Sequence, residues 1–228
     1  MDVTLFYLIN LQWTAPWLDW VMAIASSASL WLPLLIALVV AIAIWGGFTG
    51  RAMVACAALT LAVGDGLCTQ LLKDGIGRPR PHKTLSGVRM LDLSRTEPRI
   101  LALGEPLRVR YFTADENPSG GRSFPSGHAV NNFAIATVFA LFLRWGWLVY
   151  LPASLVAYSR VYNGSHWPSD IAVSVFLGIG IALLCTALAE WLWRHLGPRL
   201  TPSWHARRPS LLPWGEPAAE TESSTVPA

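Results

Sequence analysis

LWLPLLIALVVAIAIWGGF, residues 30–48, contains no charged side chain in 19 positions. A helix needs about 20 predominantly apolar residues to cross the hydrocarbon core of a bilayer. This run therefore reads as a membrane span, and four others follow it. Residues 52–72 are apolar apart from Asp65 and a few neutral polar side chains. Residues 129–143 follow a polar loop. Residues 147–161 are short and contain Pro152, and 171–193 carry Glu190 near their end. Arg144, Trp145 and Gly146 read as a tight turn between two antiparallel helices, so the short run 147–161 counts as a span. The expected fold class is all-α: a polytopic transmembrane helical bundle of five clear spans plus an N-terminal helix.

Composition agrees. The 228 residues are 53% hydrophobic and 14% charged, with mean hydropathy +0.42. Soluble domains carry about 25% charged residues, so this chain has too few charges to cover a globular surface. Disordered, collagen-like and coiled-coil classes are excluded on the same ground. No basic run is interleaved with aromatics, which argues against nucleic acid as a partner. Cys56, Cys68 and Cys185 sit in apolar stretches without metal-ligand spacing and read as small buried core residues.

Three regions are expected. Residues 1–29 mix apolar side chains with Asn10, Gln12, Pro16 and Asp19, and read as a short span or an interfacial helix. They carry no Lys or Arg, unlike a secretory signal. Residues 30–195 form the membrane domain, with an extracytoplasmic loop at 82–124. Residues 196–228, rich in Pro, Ser, Thr and Glu, read as a disordered cytoplasmic tail. Orientation follows from the short turns at Arg51 and Arg144 and the flank Arg194 to Arg199, which the positive-inside rule places in the cytoplasm. The expected location is a bacterial-type inner membrane, with the 82–124 loop outside.

That topology gathers three polar clusters at the outer ends of spans. The first runs from Lys73 to Pro81, the second from Phe124 to His128, and the third joins Ser159 and Arg160 to His166 and Asp170. Lys73, Arg80 and Arg160 are cations that can surround one dianion. Ser126 and Gly127 precede a helix, where backbone N–H groups and a hydroxyl make an anion site. His166 and Asp170 are four residues apart, so the carboxylate can hold one imidazole nitrogen and orient the other. His128 can then give a proton to a leaving oxygen. Asp65, an ionisable group within a span, is assigned either a functional or a pairing role. No set of His, Asp or Glu has zinc or two-metal spacing.

These residues resemble a known family. Lys73, six residues, then Arg80-Pro81; Pro125-Ser126-Gly127-His128; and Ser159-Arg160, five residues, His166, three residues, Asp170 match all eleven fixed positions of the signature of the type 2 phosphatidic acid phosphatase superfamily. The superfamily includes membrane lipid phosphatases, undecaprenyl-diphosphate phosphatases and soluble vanadium haloperoxidases. The resemblance implies a metal-independent phosphohydrolase needing no cofactor. It implies that His166 attacks phosphorus to form a phosphohistidine, that Asp170 orients His166, and that His128 protonates the leaving group. Lys73, Arg80, Ser126, Gly127 and Arg160 are then expected to bind phosphoryl oxygens. The expected partners are a lipid phosphate substrate and membrane lipids, with no obligate protein partner evident. Undecaprenyl diphosphate leads as substrate. Phosphatidic acid and phosphatidylglycerol phosphate are alternatives, as are transfer to an acceptor and, more weakly, non-catalytic lipid binding or transport.

The loop of 43 residues between Pro81 and Pro125 stands apart from the signature. Residues 108–113 alternate as a short strand, and 117–121 read as a turn. Covering the site and selecting the head group is one expectation for this loop; an inert surface loop is the other.

Overall fold

The computed structural model describes residues 1–114 and 122–214, leaving aside the side chains of Leu67 and Cys68. The turn expected at 117–121 and the chain after 214 lie outside the described residues. The chain opens with α1 (Asp2–Tyr7), which widens at its end into a π-helical turn (Leu8–Gln12), and α2 (Pro16–Ser26). Then come α3 (Ala28–Trp45) and α4 (Gly47–Leu61). A π-helical stretch (Ala62–Thr69) carries α4 into α5 (Gln70–Ile76). After α6 (Pro81–Thr84), strands β1 (Val88–Asp92) and β2 (Arg108–Phe112) pair antiparallel, with Val88 opposite Phe112. The remaining helices are α7 (Gly127–Phe142), α8 (Tyr150–Tyr162), α9 (Pro168–Leu200) and α10 (Pro202–Arg207).

Among the described residues three helical stretches are long and apolar enough to cross a membrane: Ala28–Trp45, Gly47–Thr84 and Pro168–Leu200. The expected spans at 129–143 and 147–161 correspond to α7 and α8, which are shorter, at 16 and 13 residues. Their packing explains the difference in character. α7 lies between α4, α8 and α9, and it buries small residues, Ala129, Ala134 and Ala136, together with Val130, Phe133 and Val138. Small side chains let helices approach closely where no water drives them together. Gly178 on α9 faces the backbone of Val130, and a side chain there would collide with it. By contrast α3 buries none of its residues and exposes Leu32, Leu35, Ile36 and Val39, as a helix facing lipid does.

A second core caps the bundle at one end. Phe6, Ile9, Met22, Val88, Leu91, Tyr162 and Trp167 are all buried within it. Asn10 links its parts: its Nδ2 donates to the backbone oxygens of Arg89 (2.8 Å) and Tyr162 (2.7 Å), and its Oδ1 accepts the Arg89 N–H. Arg89 reaches both oxygens of Asp19 at 2.8 Å, and Tyr162 donates to the same carboxylate. Asn163 donates to Ser26 Oγ at 2.8 Å. Residues 2, 10, 19 and 26 all bond to groups at this one end, so α1 and α2 lie along the end of the bundle. α2, with 11 residues, is shorter than the about 20 that a span needs.

The 82–124 loop is tied down by the same contacts. β1 is its buried strand, while Arg108, Val109, Arg110 and Tyr111 of β2 are exposed. Its apolar side chains lock the N-terminal helices to the end of α8.

The first residues of the expected tail are largely helical. α9 runs on to Leu200, and α10 follows. Glu190 accepts from Arg194 Nε (2.5 Å), Ser210 Oγ (2.8 Å) and Leu211 N–H (2.7 Å). Leu211 and Leu212 pack on the cluster of Ala52, Met53 and Cys56. A carboxylate near the end of α9 thus anchors a segment whose composition alone reads as polar tail. Cys56 and Cys185 are buried, as expected of them.

Candidate active site

Lys73 lies in the last turn of α5, Ser126 caps α7, Arg160 is in the last turn of α8, and Asp170 is in the first turn of α9. Antiparallel packing brings these helix ends together. The loop between α8 and α9 turns at Gly164, whose φ of +68° is a conformation only glycine adopts readily. The turn folds back so that the N–H groups of Ser165 (3.0 Å) and His166 (3.2 Å) both donate to the Arg160 carbonyl. His166 is thereby fixed beside Arg160 and is buried, at 3% exposure.

The imidazole of His166 has a definite polarity. Nδ1 lies 2.6 Å from the backbone oxygen of Ser123. A carbonyl can only accept, so Nδ1 carries the hydrogen and Nε2 the lone pair. Burial, reinforced by the charges of Arg160 and Arg80, holds His166 well below the ordinary imidazole pKa. The ring is therefore neutral, with an unprotonated Nε2, at physiological pH.

The direct Asp170–His166 contact expected from their spacing is not what the structure builds. Asp170 is fully buried. Its Oδ2 accepts from Ser123 Oγ (2.5 Å) and Trp167 N–H (3.2 Å), and its Oδ1 from Arg78 Nη1 (2.5 Å). Ser123 stands between the two: its hydroxyl goes to Asp170 and its carbonyl to His166. Four residues of separation align two side chains only within one helix. His166 precedes α9, so that geometry does not apply.

The other expected residues converge on the same point. The charges of Arg160, Lys73, Arg80 and Asp65 all act on His128. A methyl group on Gly127 would meet Asp65 Oδ1 at 3.3 Å and Lys73 Nζ at 3.9 Å, so Asp65 belongs to this site. It sits on the π-helical stretch Ala62–Thr69; such turns re-aim side chains and recur at functional sites. Burial lowers the pKa of Arg80, a cost that a bound anion offsets. Ser126 donates its N–H to Ser174 Oγ (2.9 Å), which in turn donates to the Asp170 carbonyl (2.6 Å). Ser126 Oγ and Arg160 Nε are buried without a hydrogen-bond partner. With the first N–H groups of α7, which no preceding turn can satisfy, they form a donor set suited to a phosphoryl group.

Ser123, Arg78 and Asp2 were not marked by the signature. Arg78 falls inside the first polar cluster, two residues before Arg80, which was its one sequence cue. Ser123 and Asp2 had none. Among the described residues no group of three or more His, Cys, Asp or Glu could hold a metal ion.

Comparison with known proteins agrees with this arrangement. The chain is 26% identical over 147 residues to a lipid A 4'-phosphatase of Bacteroides thetaiotaomicron, covering 63% of this chain and 53% of that one. It is 41% identical over 64 residues to an undecaprenyl-diphosphatase of Sulfolobus acidocaldarius, covering 27% of this chain and 31% of that one. The crystal structure of Aquifex aeolicus LpxE superposes with a TM-score of 0.57 at 25% identity, over 81% of this chain and 93% of the other. The chain spans about half the length of the curated protein it matches over 147 residues. The PAP2 superfamily pattern matches residues 51–194, which include every one of the signature residues gathered at this site, and the chain belongs to that superfamily.

Proposed function

We propose that the protein is an integral-membrane lipid phosphatase that hydrolyses a phosphate or diphosphate monoester through a phosphohistidine on His166. The observation that carries this reading is the tautomer of His166. Its Nδ1 is committed to Ser123, and the Nε2 lone pair is left over on a neutral ring that feels the charges of Arg160 and Arg80. Binding alone needs cations; it does not need a buried neutral imidazole among them.

In the first step the Nε2 lone pair forms a bond to phosphorus and the bond to the leaving oxygen breaks. His128 gives that oxygen a proton. A bound dianion reverses the field that Lys73, Arg80 and Arg160 exert on His128 and so favours its protonated form. In the second step water attacks phosphorus, His128 takes the proton, and the P–N bond breaks, restoring neutral His166. The cations, Ser126 and the α7 N–H groups stabilise the charge that spreads over the equatorial oxygens, the largest expected catalytic contribution.

The leading substrate is a polyprenyl diphosphate such as undecaprenyl diphosphate. A phosphorylated saccharide lipid such as lipid A is a second reading, favoured by the 147-residue similarity to a lipid A 4'-phosphatase. The site faces the extracytoplasmic side of a bacterial-type inner membrane. Supporting this, Arg51 near the start of α4 and Arg144 in the turn after α7 lie at the opposite ends of their helices from the site, where Arg51 Nε donates to the Ala43 carbonyl and Arg144 stacks on Trp145. The test is phosphate release from purified undecaprenyl diphosphate, lipid A, phosphatidic acid and phosphatidylglycerol phosphate. Release from at least one is expected, and release from none contradicts the reading.

A further inference from the structure

Ser123 is the group that holds the nucleophile, so what holds Ser123 matters. Its N–H donates to the backbone oxygen of Arg78 at 2.7 Å. Its hydroxyl donates to Asp170 Oδ2 at 2.5 Å. Both anchors lead to Arg78, because the Arg78 guanidinium is also the ion-pair partner of Asp170 Oδ1 at 2.5 Å. A fully buried carboxylate without its cation would not keep this place.

Arg78 is itself one-third exposed, at 32% of its side chain. Left alone, it would exchange Asp170 for water. Three contacts prevent this. Nη2 pairs with Asp2 Oδ2 at 2.6 Å, Nη1 donates to Ser169 Oγ at 2.8 Å, and the guanidinium lies 5.1 Å from the Trp167 ring centre. Asp2 is fixed in turn by the N–H (3.0 Å) and Oγ (2.6 Å) of Ser169, at the start of α9. Phe6, one turn on in α1, packs against Trp167 with ring centres 5.6 Å apart.

We infer that Arg78 and Asp2 are positioning residues for His166, acting through Asp170 and Ser123, and that the N-terminal helix is part of the catalytic support. Arg78 bridges two carboxylates, Asp2 and Asp170, that are far apart in the chain. Asp2 lies outside the family match at 51–194, so the device belongs to this chain's own N-terminal segment. The contacts of both residues run to Asp170, Ser169 and Trp167. Their loss should misplace the nucleophile without changing how substrate binds.

The inference rests on the phosphatase reading, and its test separates the two. The full chain is purified in lipid nanodiscs as wild type, Asp2→Asn, Asp2→Glu, Arg78→Gln and Arg78→Lys. Turnover is measured alongside inhibition by orthovanadate and by inorganic phosphate. Orthovanadate adopts the five-coordinate geometry of phosphoryl transfer when a nucleophile coordinates it, whereas phosphate reports ground-state binding. Outer supports of this kind are worth about 10- to 100-fold elsewhere. Asp2→Asn should lower kcat about 10-fold and Arg78→Gln about 100-fold, with KM unchanged. Orthovanadate affinity should fall in step with kcat while phosphate inhibition stays constant. Asp2→Glu should restore most of the activity. Arg78→Lys should not, because one ammonium cannot fork between two carboxylates. A wild type that releases no phosphate would refute the phosphatase reading. An active wild type with Asp2→Asn and Arg78→Lys at its kcat and orthovanadate affinity, differing in melting temperature alone, would overturn the positioning role. If Arg78→Gln does not fold, Asp2→Asn, an isosteric change at a partly exposed residue, decides.

Discussion

His166 Nδ1 donates to the backbone carbonyl of Ser123 across 2.6 Å, and this contact sets which nitrogen is free. A backbone oxygen cannot change its protonation state, so the tautomer is locked whatever happens to Asp170. Asp170 then acts one residue further out, holding the Ser123 hydroxyl and the N–H of Trp167.

Ser123→Ala should therefore lower activity less than Asp170→Asn does. The alanine keeps the carbonyl that accepts from Nδ1 and loses only the hydroxyl tie. Asp170→Asn weakens the pairing with Arg78 as well, loosening the guanidinium that pairs with this buried carboxylate. Turnover of both variants on one lipid phosphate checks the order. Equal losses would contradict this and mean that Asp170 acts through the Ser123 hydroxyl alone.

The two histidines should separate by leaving group. An activated aryl phosphate leaves without a proton, so His128→Ala should retain more activity on p-nitrophenyl phosphate than on a lipid phosphate. His166→Ala should be inactive on both, a loss of at least about 4 kcal/mol of barrier, or roughly a thousandfold. If His166→Ala spares the aryl ester while His128→Ala loses both, the roles are exchanged.

The acid limb of the pH profile follows from the depressed pKa of His166. Protonated His166 cannot attack, and protonation occurs only as pH falls through the folded-state value, which lies well below the ordinary 6.5. The enzyme limb of kcat/KM, corrected for substrate ionisation, should therefore fall below pH 6.5. Burial and the charges of Arg160 and Arg80 are the causes. Arg80→Gln should move the limb upward while lowering activity. A limb that stays fixed in this variant would deny Arg80 an electrostatic role at His166.

Much of this was legible in the chain because it depends on short spacings. The apolar run 30–48 is α3 over nearly its whole length, and the three clusters sit at helix ends that antiparallel packing must bring together. Arg108 to Phe112 formed the expected strand. What escaped depends on contacts between distant segments. Asp2 and Arg78 are 76 residues apart and Ser123 and Asp170 are 47 apart, and no local pattern marks them. The 82–124 loop showed its strand but not its partner, because Asn10 and Asp19 read as interruptions of an apolar segment and only the structure shows them joined to Arg89. Glu190 likewise read only as a charge near the end of a span, though it anchors Ser210 and Leu211.

Orientation is open to labelling. Glu105→Cys in the loop should react with a membrane-impermeant maleimide in intact spheroplasts, and Ser203→Cys in α10 should react only after lysis. Both positions are exposed, and the unaltered chain controls for its own thiols. Labelling of Ser203→Cys alone in intact cells would put the site in the cytoplasm.

Metal independence is tested by excess EDTA, in which turnover should persist. Loss of activity that Mg²⁺ restores would assign the chemistry to a metal-dependent class.

The most direct test of the central claim is a rapid-quench measurement with a lipid phosphate labelled in its phosphoryl group. Wild-type protein should carry label within one turnover. The linkage should survive alkali, break in acid, map to His166, and be lacking in His166→Ala. Release of labelled phosphate at the wild-type rate with no label ever on the protein, or from His166→Ala, would contradict the account.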